Sequence, residues 1–157
     1  MGCKLKKLIN SIILAVAIIA APSLALASEP KPFDLDSWKQ LLHTADRAAV
    51  VFTSTHCVHC PGLVAGLLKD RRQQKQTFKV LVVTTDGGAS DLGKAPYNEA
   101  DGRYFFKGNT QALRYSVNPS WRGVTPYVAL ISSGVGTQCY SGSPSRDSLQ
   151  RWARDSR

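Results

Sequence analysis

The sequence is short of the features that define several classes of protein. Four cysteines in 157 residues are too few for a small scaffold held together by disulfides. No apolar run reaches the roughly 18 residues of a membrane-spanning helix; an unbroken one from Ile12 to Ala21 stops at Pro22. There is no internal repeat and no low-complexity tract, which excludes solenoid and fibrous arrangements. Charged residues make up only 20% of the chain against 43% hydrophobic ones, so the composition is that of a globular domain and not of a disordered chain. The basic cluster Lys69, Arg71, Arg72 and Lys75 lacks interleaved aromatics and reads as a solvated helix face, so nucleic acid is not an expected partner.

What the chain does have begins with a leader. Lys4, Lys6 and Lys7 precede the apolar run, and Ala25-Leu26-Ala27 offers small residues ahead of Ser28, the pattern of a cleavable export signal over residues 1–27. Its removal leaves 130 residues, one domain, and lowers the formal net charge from +9 to +6. Residues 28–32, with Pro30 and Pro32 on either side of Lys31, read as a short linker, and 33–157 as the folded domain. The expected location is the periplasm.

Hydrophobic periodicity supplies the elements. Asp34 or Asp36 caps a short helix with Trp38, Leu41 and Leu42 on one face, and Ala48 to Thr53 reads as a buried strand. From Cys57 on, Leu63, Val64, Leu67 and Leu68 recur at helical spacing, so the cysteine pair is expected to open an amphipathic helix. Phe78 to Thr85 is a second buried strand, and strand, helix, strand in that order implies a parallel pair inside a sheet. Asn109 caps a helix to about Tyr115. Pro126 to Ile131, a loop at Ser133-Gly134-Val135-Gly136, and Thr137 to Tyr140 form an antiparallel hairpin. A last helix, capped by Ser145, turns Leu149 and Trp152 inward.

An exported chain meets conditions in which disulfides form, and Cys57, Cys60 and Cys139 remain once the leader is gone. The spacing in Cys57-Val58-His59-Cys60 permits cycling between dithiol and disulfide, which leaves Cys139 as the spare thiol.

These residues resemble the thioredoxin superfamily: a strand running into Cys57-Val58-His59-Cys60, then Thr125-Pro126 opening a hairpin before a final helix. Gly123-Val124-Thr125-Pro126-Tyr127-Val128-Ala129-Leu130, with Tyr140 and Pro144, looks most like the catalytic domain of periplasmic Dsb-type disulfide isomerases and reductases. The resemblance implies an α/β thioredoxin-like fold, a central mixed sheet of about four strands flanked by helices. It implies a thiol-disulfide oxidoreductase of reductase or isomerase type, monomeric and without cofactor. Its partners would be cysteine-containing exported proteins and a membrane thiol-disulfide donor or acceptor.

Chemically, Cys57 is then the nucleophile, since the dipole and free amides of a helix start favour a thiolate. Cys60 resolves the mixed disulfide, and His59 adds positive charge beside the pair. The resemblance further implies a cis Thr125-Pro126 bond beside the cysteines, with the Thr125 backbone offered to an extended client. Thioredoxins proper carry tryptophan before the first cysteine and a buried aspartate six residues upstream of it. Here His56 and Val51 stand there, so proton removal from Cys60 must use water or a histidine, and His56 is the candidate.

One alternative comes from another class. His56, Cys57, His59 and Cys60 place four soft or borderline ligands within five residues, a set suited to Cu(I) or zinc in a metal-handling protein of the cell envelope. The sequence supplies no second cysteine pair to close a four-ligand site. A thioredoxin-like assembly scaffold with idle cysteines is the other alternative.

Overall fold

The computed structural model describes residues 28–154; the leader expected over 1–27 lies outside them. The chain runs β1 (Lys31–Phe33), α1 (Leu35–Thr44), β2 (Arg47–Thr53), α2 (Cys60–Gln73), β3 (Lys79–Thr84), β4 (Gly102–Phe106), α3 (Thr110–Val117), β5 (Tyr127–Ser132), β6 (Gly136–Ser141) and α4 (Arg146–Arg154). The six strands form one sheet in the order β1-β4-β3-β2-β5-β6. β2 lies parallel to β3 and antiparallel to β5, so the sheet is mixed and β2 sits inside it.

Alternation along the inner strands divides the core between the two faces, because successive strand side chains point to opposite sides. Ala48, Val50 and Phe52 of β2 join Leu81 and Val83 of β3 under α1 and α3, with Trp38, Leu113 and Val117. Ala49 and Val51 join Val80 and Val82 under α2 and α4, with Val64, Leu67, Leu68, Leu149 and Trp152. Both faces are covered, which is why these strands read as continuous apolar runs.

The sheet has six strands where about four were expected, and the reasons are local. β4 puts Gly102 against Leu81, where a Cβ would come within 2.9 Å of Leu81 Cδ2, and buries Arg103 at 6% exposure. Arg103 survives burial because it donates to the carbonyls of Leu92, at 2.9 Å, and Ser28, at 2.5 Å. A strand that opens on glycine and buries arginine is left with only Tyr104-Phe105-Phe106 as an apolar stretch, too short to read as a buried strand. β1 is three residues long and pairs Lys31 and Pro32, the end of the stretch read as a linker, with Tyr104 and Phe105 at the sheet edge, where a proline is tolerated.

Helix α2 also starts later than the periodicity suggested. Its first residue is Cys60, with His59 at the N-cap and Pro61 behind it. Pro61 has no amide hydrogen to give to the Cys57 carbonyl, so an α-turn cannot begin at Cys57; the Cys60 amide bonds that carbonyl instead, at 3.3 Å. Of the basic cluster, Arg71 pairs with Asp101 and donates to the Phe78 carbonyl, so it clamps the end of α2 to the sheet instead of lying free in water.

Asn109 caps α3 through its side-chain oxygen, which accepts from the amides of Gln111 at 2.9 Å and Ala112 at 3.0 Å. Asn109→Ala is expected to lower stability by about 1 kcal/mol, read as a shift of the urea midpoint at constant m. Asn109→Asp should restore most of the loss.

Candidate functional site

The cysteine pair stands where β2 leaves the sheet, at the carboxyl ends of the parallel strands, the edge at which open α/β sheets gather their chemistry. Thr53 ends β2, and its carbonyl accepts from both the amide and the hydroxyl of Thr85, at 2.9 and 3.0 Å, so β2 and β3 exit together. A tight turn follows, closed by the Cys57 amide on the Ser54 carbonyl at 3.1 Å.

Cys57 and Cys60 form a disulfide, with Cα atoms 5.4 Å apart. Their exposures differ in kind. Cys60 is fully buried at the start of α2, whereas Cys57 is partly exposed and Val58 between them is 82% exposed. A sulfur must be reached to be attacked, so this asymmetry makes Cys57 the entry point. The N-cap residue His59 makes no side-chain capping bond, which leaves the positive end of α2 uncapped beside the pair.

The loop before β5 closes over the same end of the sheet. The Thr125-Pro126 peptide bond is cis. Thr125 Oγ1 lies 2.9 Å from Ser54 Oγ in the turn that leads to Cys57, and the Pro126 carbonyl accepts from the Gly142 amide at 2.8 Å. Gly142 takes φ +86°, a conformation that glycine adopts without a steric penalty. Behind the loop, Trp121 donates from Nε1 to the Val124 carbonyl at 2.9 Å and stacks on Tyr127 at 4.5 Å. The loop is thereby fixed to the core.

Between α2 and this loop runs a groove of about 460 Å³, bordered by His59, Leu63, Leu67, Pro126, Pro144 and Leu149 among others. Gly62 and Gly66 lie one helical turn apart along it, and a Cβ at either would meet nothing within 4 Å. Their bareness leaves the groove its width.

The structure thus brings Cys57, Cys60, His59 and Pro126 to one end of the sheet, with Thr125 joined to the cysteine turn. Sequence reasoning missed Ser54, Thr55 and Asp86. The Thr55 amide donates to Asp86 Oδ1 at 2.9 Å, and Thr55 Oγ1 lies 2.8 Å from His56 Nδ1. The available signal was Asp86-Gly87-Gly88, a turn sequence directly after the strand parallel to β2. Val51, in the place of the thioredoxin aspartate, is fully buried among apolar side chains.

Cys139 lies on β6, half-buried against the other face of the sheet, its Sγ 3.9 Å from the Val117 carbonyl oxygen. Burial pushes its thiol up, while hydrogen bonds with Tyr127 and Asn118 act in the opposite direction. A thiol held protonated is a poor nucleophile, which separates Cys139 from the pair. Among the described residues, no group of three or more His, Cys, Asp or Glu is placed to hold a metal ion.

No family model matches the sequence, and no curated protein matches it. Solved structures do. A thioredoxin-related protein from Neisseria meningitidis serogroup B is similar at a TM-score of 0.56 and 18% identity, over 71% of this chain and 84% of that one. A secreted Mycobacterium tuberculosis disulfide oxidoreductase, homologous to E. coli DsbE, is similar at a TM-score of 0.51 and 11% identity, over 73% of this chain and 84% of that one. Identities this low speak for architecture, and with the mixed sheet, its covering helices and the paired cysteines at the end of β2, the chain has a thioredoxin-like fold.

Proposed function

We propose that the protein is a thiol-disulfide oxidoreductase of reductase or isomerase type, exchanging disulfides with cysteine-containing exported proteins in the periplasm. The observation that carries this reading is the Cys57–Cys60 disulfide, with Cys57 partly exposed and Cys60 fully buried. A disulfide closing so short a loop contributes little as a staple, whereas the same asymmetry is what a nucleophile and its resolving partner need. The cleavable leader over 1–27 would deliver the domain of 33–157 to an oxidising compartment.

In the proposed cycle, the Cys57 thiolate attacks a client disulfide and forms a mixed disulfide, releasing one client thiol. The Cys60 thiolate then attacks the Cys57 sulfur, frees the second client thiol and regenerates the Cys57–Cys60 bond. Two electrons pass from the dithiol to the client. A membrane thiol-disulfide donor would reset the pair, and the reverse sequence would oxidise a client. Thr125 and Pro126 are proposed to hold an extended client segment along the groove. The test is reduction of insulin disulfides with dithiothreitol in excess: acceleration by wild type is expected, and none by Cys57→Ser.

His59 is proposed to tune the pair. A positive imidazole ring beside Cys57 favours the thiolate, and a favoured thiolate makes the reduced form more stable and the pair more oxidising. His59→Ala is therefore expected to move the midpoint in a glutathione titration toward more reducing values, by on the order of 30 mV, about 1.4 kcal/mol. Midpoints that agree within error would leave His59 a spacer at the groove rim.

A further inference from the structure

We infer that Asp86 and Thr55 form a positioning relay that fixes the tautomer of His56, leaving its Nε2 free as a proton acceptor on the residue that precedes Cys57. Hydrogen count fixes the arrangement. Thr55 Oγ1 has two polar neighbours, His56 Nδ1 at 2.8 Å and Asp86 Oδ2 at 3.3 Å, and it has one proton to give. An ionised carboxylate only accepts. Both contacts are hydrogen bonds in one arrangement alone: the hydroxyl donates to Asp86 and accepts from an Nδ1–H of His56. The neutral ring then carries its proton on Nδ1 and presents a bare lone pair on Nε2.

The acceptor at the end of this chain is held in place. Asp86 Oδ1 also accepts from the Thr55 amide at 2.9 Å, which clamps the carboxylate across both Thr55 donors. Gly87 behind it is tightly seated, since a Cβ there would fall 2.8 Å from Thr84 Oγ1 and 3.0 Å from Thr55 Cγ2. The Gly88 amide is tied to Asp91 Oδ2 at 2.7 Å. By contrast the ring itself is exposed, and it belongs to the residue bonded directly to Cys57.

The proton step rests on the proposed redox function; the tautomer does not. His56 Nε2 takes the proton of the Cys57 thiol, the thiolate so formed attacks the client disulfide, and the imidazolium returns that proton to the departing client sulfur. One S–S bond breaks, one forms, and the proton ends on the client.

The test reads nitrogen chemical shifts of His56 on the full domain, above the pH at which the ring is neutral, together with insulin reduction rates. Wild type is expected to show the Nδ1–H tautomer. Thr55→Val should lose that preference, and so should Asp86→Ala, which frees the hydroxyl to donate to Nδ1; Thr55→Ser should keep it. Insulin reduction should fall about tenfold in Thr55→Val and in His56→Gln, with no further loss in the double variant, and recover in Thr55→Ser. A wild-type ring protonated on Nε2, or Thr55→Val retaining the wild-type rate, overturns the relay while leaving the redox reading intact. Absence of exchange by wild type, with the tautomer as expected, overturns the redox reading and the proton step together, and leaves only the positioning.

Discussion

Cys57→Ser is expected to reduce insulin turnover to the uncatalysed rate, and Cys60→Ser to accumulate mixed disulfides with clients. The two outcomes differ because the sulfurs occupy different surroundings. Cys57 lies partly exposed in the turn ahead of α2, and Cys60 is fully buried as the first residue of that helix. A client disulfide reaches the first and not the second. Without Cys57 no covalent intermediate forms; without Cys60 the intermediate forms and has no internal thiol to resolve it. The check is mass spectrometry of the trapped species beside the turnover assay. A Cys60→Ser protein that neither traps clients nor loses turnover would contradict the assignment of roles.

Phe52→Ala is expected to cost about 3 to 5 kcal/mol, a large share of the roughly 5 to 15 kcal/mol that holds an ordinary domain together. Phe52 is fully buried on β2, and its ring lies 5.7 Å from Trp38 and 5.0 Å from Trp121. No neighbour can close such a space without moving, so lost contacts and a cavity add together. Trp121 also holds the Val124 carbonyl one residue ahead of Thr125. The substitution should therefore loosen the loop beside the cysteines as well as the core. A urea titration measures the first effect and the Cys57 alkylation rate of the reduced protein the second. A loss below about 1 kcal/mol would show that the aromatic cluster is not the keystone of this face.

The elements that the sequence made legible are those in which local chemistry and burial agree. Strands β2, β3 and β5 are covered on both faces and so appear as apolar runs, and α3 announces itself through Asn109, whose side chain binds two free amides at the helix start. Strand β4 was hidden because Gly102 and Arg103 serve it through close approach and carbonyl bonds, neither of which leaves a periodic trace. The start of α2 was misplaced by three residues, although Pro61 held the answer: it withholds the amide that an α-turn from Cys57 would need. At the site, the Cys57-Val58-His59-Cys60 spacing was visible from the chain alone. Asp86 was not, since it lies 31 residues from Thr55 and meets it only because β2 and β3 run parallel and exit together.

The direct test of the redox assignment is the equilibrium of the Cys57–Cys60 pair in glutathione buffers of graded composition, read by mass after quenching with an alkylating agent. A pair that exchanges disulfides with clients should titrate as one two-electron transition with a midpoint above about −300 mV, the two thiols appearing together while Cys139 stays reduced throughout. A bond that stays oxidised until well below that potential would be a structural disulfide, and the proposed function would be wrong.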